Sequence, residues 1–210
     1  MDTKKITAVK ARITPVKLMV VTKHRTALDI REAMKAGAKY LGESTLQEIK
    51  KKYDSALFQD LKKNTVELHF IGHLQSNKVS QVVNFCDVIQ SVDSIGLLSQ
   101  IDRAAKNRGK IMPVLLQVNF TGEPQKFGFA PDDLEAAIAT ARQLPCLQLR
   151  GLMIIGQEGG MQITREAFSR CKKAAEFFQL PEVSMGMSQD FEIALEEGAT
   201  MVRLGSILFE

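Results

Sequence analysis

Eight short apolar runs alternate with seven amphipathic segments along this chain, and that order limits its fold more than any single residue does. The runs are residues 16–22, 39–42, 66–71, 87–90, 112–118, 147–155, 182–185 and 200–204. Their length suits strands rather than helices. Between them, apolar residues recur at helical spacing. Ile30, Ala33 and Met34 share a face in 27–36, with Gly37 as the stop; Leu46, Ile49, Tyr53, Leu57 and Leu61 do so in 45–63. Helices are likewise predicted over 76–85, 94–107, 131–144 and 164–178, and around Phe191, Ala194 and Leu195 before Gly198. Such alternation implies parallel strands joined by right-handed crossovers. Eight units predict a closed (β/α)8 barrel, an α/β fold whose lower size limit is about 200 residues. No helical pattern follows the eighth run, so the eighth helix is expected to be missing. The short basic helix of residues 4–13, ended by Pro15, is expected to take its place. An open doubly wound sheet is the alternative, but no Gly-x-Gly-x-x-Gly follows the first run, as a dinucleotide-binding version would want.

At 210 residues the chain is expected to form a single domain, 1–210, with enough length to bury a core unaided. Its 28 basic and 24 acidic residues are well mixed, so nothing points to nucleic acid; Lys50-Lys51-Lys52 reads as a solvated helix face. No apolar run approaches the ~20 residues of a membrane helix, and the charged start Met1-Asp2-Thr3-Lys4-Lys5 carries no signal-peptide pattern. Cys86, Cys146 and Cys171 are odd in number and far apart, which suits neither a disulfide framework nor zinc. These features together lead to the expectation of a cytoplasmic protein without partners in membrane or nucleic acid. No helix shows a second apolar face, so a monomer is expected.

Working groups in such barrels sit at the carboxyl ends of strands, and a phosphate site commonly lies after strands seven and eight. There the sequence reads Ser184-Met-Gly-Met-Ser188 and Arg203-Leu-Gly-Ser206. A strand that ends in Gly and Ser and turns into a helix exposes backbone N–H groups that favour an anion. The hydroxyls of Ser184, Ser188 and Ser206 can add donors, and Arg203 a fixed charge. Asp190 opposes this, being in the first turn of the next helix, where it would repel a phosphate unless turned aside.

The other strand ends offer Lys23, Glu43-Ser44, Gly72-His73, Ser91, Asn119 and Gly156. Lys23 is the cationic nucleophile candidate among them. A lysine at an apolar barrel mouth loses solvation, which favours the neutral amine that attacks an aldehyde. A neutral amine beside a phosphate cradle points to a phosphorylated aldehyde, with pyridoxal 5′-phosphate the obvious candidate; a sugar phosphate held by Lys23 as a point charge is the equal alternative at this stage. His69 and His73 are four apart, but on a strand and its turn they do not converge on a metal. His69 is expected to bond locally and His73 to line the mouth. Met153, Met161, Met185, Met187 and Met201 are expected to fill core gaps.

The run His69-Phe-Ile-Gly-His-Leu-Gln-Ser-Asn-Lys78 resembles the signature of the pyridoxal phosphate homeostasis proteins, single-domain relatives of the alanine racemase N-terminal barrel. The resemblance continues through Val21-Thr-Lys23, Leu41-Gly-Glu43, Gln117-Val-Asn119, Gly151-Leu-Met153, Ser184-Met-Gly-Met-Ser188 and Met201-Val-Arg-Leu-Gly-Ser206. It implies that Lys23 holds pyridoxal 5′-phosphate as a Schiff base. It implies that Ser184, Gly186, Ser188, Gly205 and Ser206 hold the phosphate, and that Arg203 lies near the pyridine nitrogen or the phosphate. Ser44 also belongs to the expected cofactor site; it stands where the family usually has Asn. The resemblance further implies a non-enzymatic protein of vitamin B6 and amino-acid homeostasis, with pyridoxal-phosphate-dependent apoenzymes as candidate partners.

The alternative is a racemase or decarboxylase of the alanine racemase type. Those racemases add a β domain that supplies a tyrosine as acid/base. The tyrosines here, Tyr40 and Tyr53, are not placed to serve as one, and the chain ends near strand eight, which favours the carrier.

Overall fold

In the computed structural model, which describes residues 3–123 and 125–209, eight parallel strands pair in sequence order and close into a barrel, the first beside the eighth. They are β1 (Lys17–Val21), β2 (Tyr40–Glu43), β3 (Glu67–Phe70), β4 (Val88–Val92), β5 (Met112–Val118), β6 (Leu147–Ile154), β7 (Glu182–Ser184) and β8 (Met201–Leu204). The seam is in register, with Lys17 opposite Met201 and Val20 opposite Leu204. Met1, Asp2, Pro124 and Glu210 lie outside the described residues, so the first and last positions of the expected 1–210 domain and the start of the charged leader are not described.

The helices are α1 (Thr3–Ile13), α2 (Ala27–Lys35), α3 (Leu46–Lys52), α4 (Ser55–Lys63), α5 (Val79–Phe85), α6 (Ile95–Lys106), α7 (Leu134–Gln143), α8 (Met161–Phe177), α9 (Phe191–Glu196) and α10 (Ser206–Phe209). Local chemistry fixes several starts. Thr26 opens α2 with a reciprocal cap: its hydroxyl accepts from Asp29 N, and the Asp29 carboxylate accepts from Thr26 N at 2.8 Å. Gly37, at φ 86, ends that segment in the left-handed region that glycine enters without strain.

One predicted helix is two. Periodicity joins 45–63, but the backbone leaves the helix at Tyr53 (φ −97, ψ 87), and the Asp54 carboxylate accepts from Leu57 N at 2.7 Å to cap a new one. The break frees Tyr53 to turn its hydroxyl onto Glu43 while Leu46, Ile49, Tyr53, Leu57 and Leu61 all stay buried. Burial satisfies the apolar pattern either way, so periodicity alone could not show the break.

Among the described residues β8 is followed by the single turn α10, and α1 packs on the other side of the seam. It packs on α2 and β1, buries Ile6 and Ile13, and reaches α9 through the Arg12–Glu192 ion pair. Each buried Ile contributes about 1.5–3 kcal/mol to closing the seam.

The lumen is packed, as small barrels require. Val88, Leu115 and Met153 form one apolar layer. Gly42 makes room for Met19, whose sulfur lies 2.7 Å from where a Cβ would stand. Met153, Met185 and Met201 are buried as expected; Met161 and Met187 are exposed instead, because they head α8 and the β7–α9 loop on the surface. Among the described residues no helix is long and apolar enough to cross a membrane.

Candidate functional site: a cavity at the carboxyl ends of β1, β7 and β8

A cavity of about 480 Å³ opens where β8, β1 and the β7–α9 loop meet, a usual size for a small-molecule site. Ser188, Arg203, Gly205 and Ser206 line it, together with Val21. The two halves of the predicted cradle do converge: Ser206 Oγ donates to Ser188 Oγ at 3.2 Å, although the residues are 18 apart in sequence. Ser188 N and Gln189 N donate to no acceptor among the described residues. Gly205 sits against β1, where a Cβ would be 3.4 Å from Val21 Cβ. The following helices are only six and four residues long. The cradle therefore consists of loop N–H groups and two hydroxyls, with less help from helix dipoles than the sequence suggests.

Asp190 remains in the cavity wall. Its Oδ1 accepts from Met187 N at 2.6 Å, which fixes the loop and engages one carboxylate oxygen. Arg203 is buried below, where desolvation lowers it to about 10 while Asp190 acts in the opposite direction. It remains a cation at neutral pH.

Ser184 lies beneath the cavity, fully buried. Arg203 Nη1 donates to Ser184 Oγ at 2.9 Å, and Arg203 Nη2 to Ile154 O at 2.9 Å. The Ser184 hydroxyl donates in turn to Gln90 Oε1 at 2.7 Å, so its proton points away from the cavity. Gln90 Nε2 lies 2.9 Å from His69 Nδ1, and His69 Nε2 lies 3.1 Å from Glu67 Oε2. Arg150 closes the far end on Glu67 at 3.4 Å. A polar chain thus crosses the lumen from the amino ends of the strands to Arg203. Gly186, at φ 90, lies beside α9, where a Cβ would come within 2.5 Å of Ala194 Cβ; its carbonyl accepts from Arg203 N. Ser184 and Gly186 hold Arg203 from below and do not line the cavity.

Lys23 follows β1 in a turn, two residues past Val21, and is not among the residues that line the cavity. Its side chain is exposed and makes no hydrogen bond or ion pair among the described residues. The expected desolvation at the mouth is therefore absent in the protein alone. Ser44 is half-buried at the end of β2, outside the cavity lining, with its carbonyl pressed against Gly72, where a Cβ would come within 2.0 Å. His69 bonds locally, and His73 stacks on Phe127 with centroids 3.8 Å apart and pairs with Asp93. Among the described residues no three His, Cys, Asp or Glu side chains gather as a metal site would.

Lys126 and Gln157 are among the lining residues that escaped sequence reasoning. Lys126 reaches the cavity from the loop after β5 and donates to Gly156 O at 2.8 Å while pairing with Glu123. Gln157 carries a buried Oε1 with no partner among the described residues. Strand-end spacing finds neither, since one sits eight residues past the end of β5 and the other in a glycine-flanked loop.

The family model for the alanine racemase N-terminal domain matches residues 3–210. A pyridoxal phosphate homeostasis protein of Pseudomonas aeruginosa is 39% identical over 195 residues, covering 91% of this chain and 83% of that protein. The chain belongs to the pyridoxal phosphate homeostasis proteins of the alanine racemase N-terminal family. PipY of Synechococcus elongatus PCC7942, solved with PLP bound, is 36% identical at a TM-score of 0.87, covering 99% of both chains. Alanine racemase of Streptomyces coelicolor A3(2) is similar in fold alone, at 18% identity and a TM-score of 0.77 over 57% of its chain.

Proposed function

We propose that this cavity binds pyridoxal 5′-phosphate and that the chain holds and releases the cofactor in vitamin B6 and amino-acid homeostasis, without turning over amino acids. The observation that carries the reading is the Ser188–Ser206 pair in the cavity, with Lys23, whose side chain has no partner among the described residues, in the turn that follows Val21 of the cavity wall.

The residues present fit the cofactor. Ser188, Ser206, Gly205 and the N–H groups of Ser188 and Gln189 suit a phosphate. Arg203 presents a fixed cation from the floor, held there by Ser184 and Gly186. Gln157 offers an unused acceptor. When bound, pyridoxal phosphate supplies an aldehyde that condenses with a lysine amine with loss of one water. Lys23 Nζ is the amine for that step, and Ser44 lies on the rim beside it. An arginine at the pyridine nitrogen would keep that nitrogen unprotonated and weaken its pull on electrons, which suits a carrier or a restrained enzyme better than a transaminase.

Among the described residues no tyrosine lines the cavity, which fits the same reading. Tyr40 opens β2 at the opposite face, under the Lys17 ammonium, and Tyr53 is buried outside the barrel wall. The relatives' name, homeostasis protein, also fits. In this reading the chain acts as a cytoplasmic monomer with pyridoxal-phosphate-dependent apoenzymes as recipients.

The test is to load the protein with pyridoxal phosphate, offer it L- and D-amino acids, and then offer it an apoenzyme. We expect racemisation and decarboxylation no faster than with free cofactor, and activation of the apoenzyme. Turnover above the free cofactor would contradict the carrier reading.

A further inference from the structure

Behind the Lys23 turn, on the outer side of the barrel wall, lies a buried ionic cluster that the cofactor cradle does not use. Glu43 ends β2 and is fully buried. Lys52 ends α3 with its side chain 5% exposed, 2.7 Å from Glu43 Oε1 and 3.0 Å from Glu48 Oε2. A buried ion pair adds little stability over a well-packed apolar pair, because desolvation offsets the attraction. Its bonds to the rest of the chain show what else it does.

Those bonds converge on the residues either side of Lys23. Lys52 Nζ donates to Thr22 O at 2.8 Å. The Thr22 hydroxyl donates to Glu43 Oε1, on which the Tyr53 hydroxyl also converges at 3.2 Å. Beyond Lys23, His24 N donates to Glu48 Oε2 at 3.0 Å. The Lys52 ammonium and then the His24 N–H hold the Glu48 carboxyl below its ordinary range, so it accepts as the anion. His24 is at φ 60, a left-handed conformation that strains a residue with a side chain. Glu48 holds the N–H of that strained residue. Lys23 thus has a backbone fixed on both sides and a side chain with no partner among the described residues. That combination suits an amine that must meet an aldehyde at one place.

We propose that Glu43, Glu48 and Lys52 are positioning residues for Lys23, setting where its amine enters the cofactor cavity. The inference rests on the reading of Lys23 as the amine that condenses with pyridoxal phosphate.

Two ligands separate positioning from general damage. Pyridoxamine 5′-phosphate has the ring and phosphate but no aldehyde, so its affinity reports the cradle alone. Borohydride trapping of pyridoxal phosphate, followed by peptide mass mapping, reports the rate at which Lys23 is labelled. Glu48→Ala is the informative variant, because Glu48 is the most exposed member and leaves the Glu43–Lys52 pair intact. We expect Glu48→Ala to slow labelling of Lys23 about tenfold with pyridoxamine 5′-phosphate affinity unchanged. Glu48→Gln, which keeps an acceptor for His24 N–H, should restore most of the rate. Lys52→Met with Glu43→Gln, which removes the buried charges together, should slow labelling further. Unchanged labelling in Glu48→Ala, or a parallel loss of labelling and pyridoxamine 5′-phosphate affinity, would overturn the positioning role. Absence of a Lys23 adduct in the unsubstituted protein would instead overturn the cofactor reading on which it rests.

Discussion

Arg203 donates to Ser184 Oγ at 2.9 Å, across 19 residues of chain and inside the barrel. Ser184 can accept that bond because its own proton goes to Gln90. The orientation of the cation under the cavity therefore depends on a glutamine on the opposite wall.

Gln90→Leu tests this dependence. Leucine removes both functions of the amide, leaving the Ser184 hydroxyl and His69 Nδ1 without their partner. Leaving buried polar groups unpaired costs about 1–3 kcal/mol each. The urea midpoint should fall accordingly, and pyridoxamine 5′-phosphate should bind more weakly as Arg203 loses its fixed orientation. A variant as stable as the unsubstituted protein would show that the chain of bonds is not maintained in solution.

The two serines of the cradle should act on the phosphate alone. A hydrogen bond to a charged group contributes about 1.5–3 kcal/mol. Ser188→Ala and Ser206→Ala should each weaken pyridoxamine 5′-phosphate by about 10- to 100-fold, read by calorimetry. Pyridoxamine, which lacks the phosphate, should bind equally to all three proteins. Ser206 is exposed and Ser188 half-buried in a loop, so thermal midpoints should hardly move. Equal losses for both ligands would place the phosphate elsewhere.

Glu67 gives a dependence on pH. The hydrogen bond from His69 lowers its carboxyl to about 2, and Arg150 adds to the effect. A carboxyl depressed in the folded state contributes stability above its unfolded pKa, about 4.3, and that contribution is lost as pH falls toward 2. Glu67→Gln removes this carboxyl. Denaturation from pH 5 to 2 should therefore be shallower in Glu67→Gln than in the unsubstituted protein, the two curves drawing together toward pH 2. Parallel curves would mean that Glu67 is not held by His69 and Arg150 in solution.

The barrel could be read from sequence because each strand and helix carries its own period. Val16 to Thr22 needs no distant partner to be seen as a strand, and Gly37 and Gly198 mark their stops locally. That Ser188 and Ser206 meet was legible because strand order puts their loops side by side. The split at Tyr53-Asp54 was not, since both conformations bury the same five apolar residues. Nor was the chain Glu67–His69–Gln90–Ser184–Arg203. Its members sit up to 94 residues from their partners and meet only because alternate strand residues share the lumen. Lys52 illustrates the same limit. In sequence it closes a lysine run that reads as solvated, yet its side chain is 5% exposed because Glu43 and Glu48 surround it.

The central claim is that Lys23 is the amine that receives pyridoxal phosphate, and borohydride reduction of the loaded protein followed by peptide mass mapping tests it most directly. The account predicts one reduced pyridoxyl adduct, on Lys23, that disappears in Lys23→Ala while pyridoxamine 5′-phosphate still binds. An adduct that persists in Lys23→Ala, or label spread over surface lysines, would contradict it.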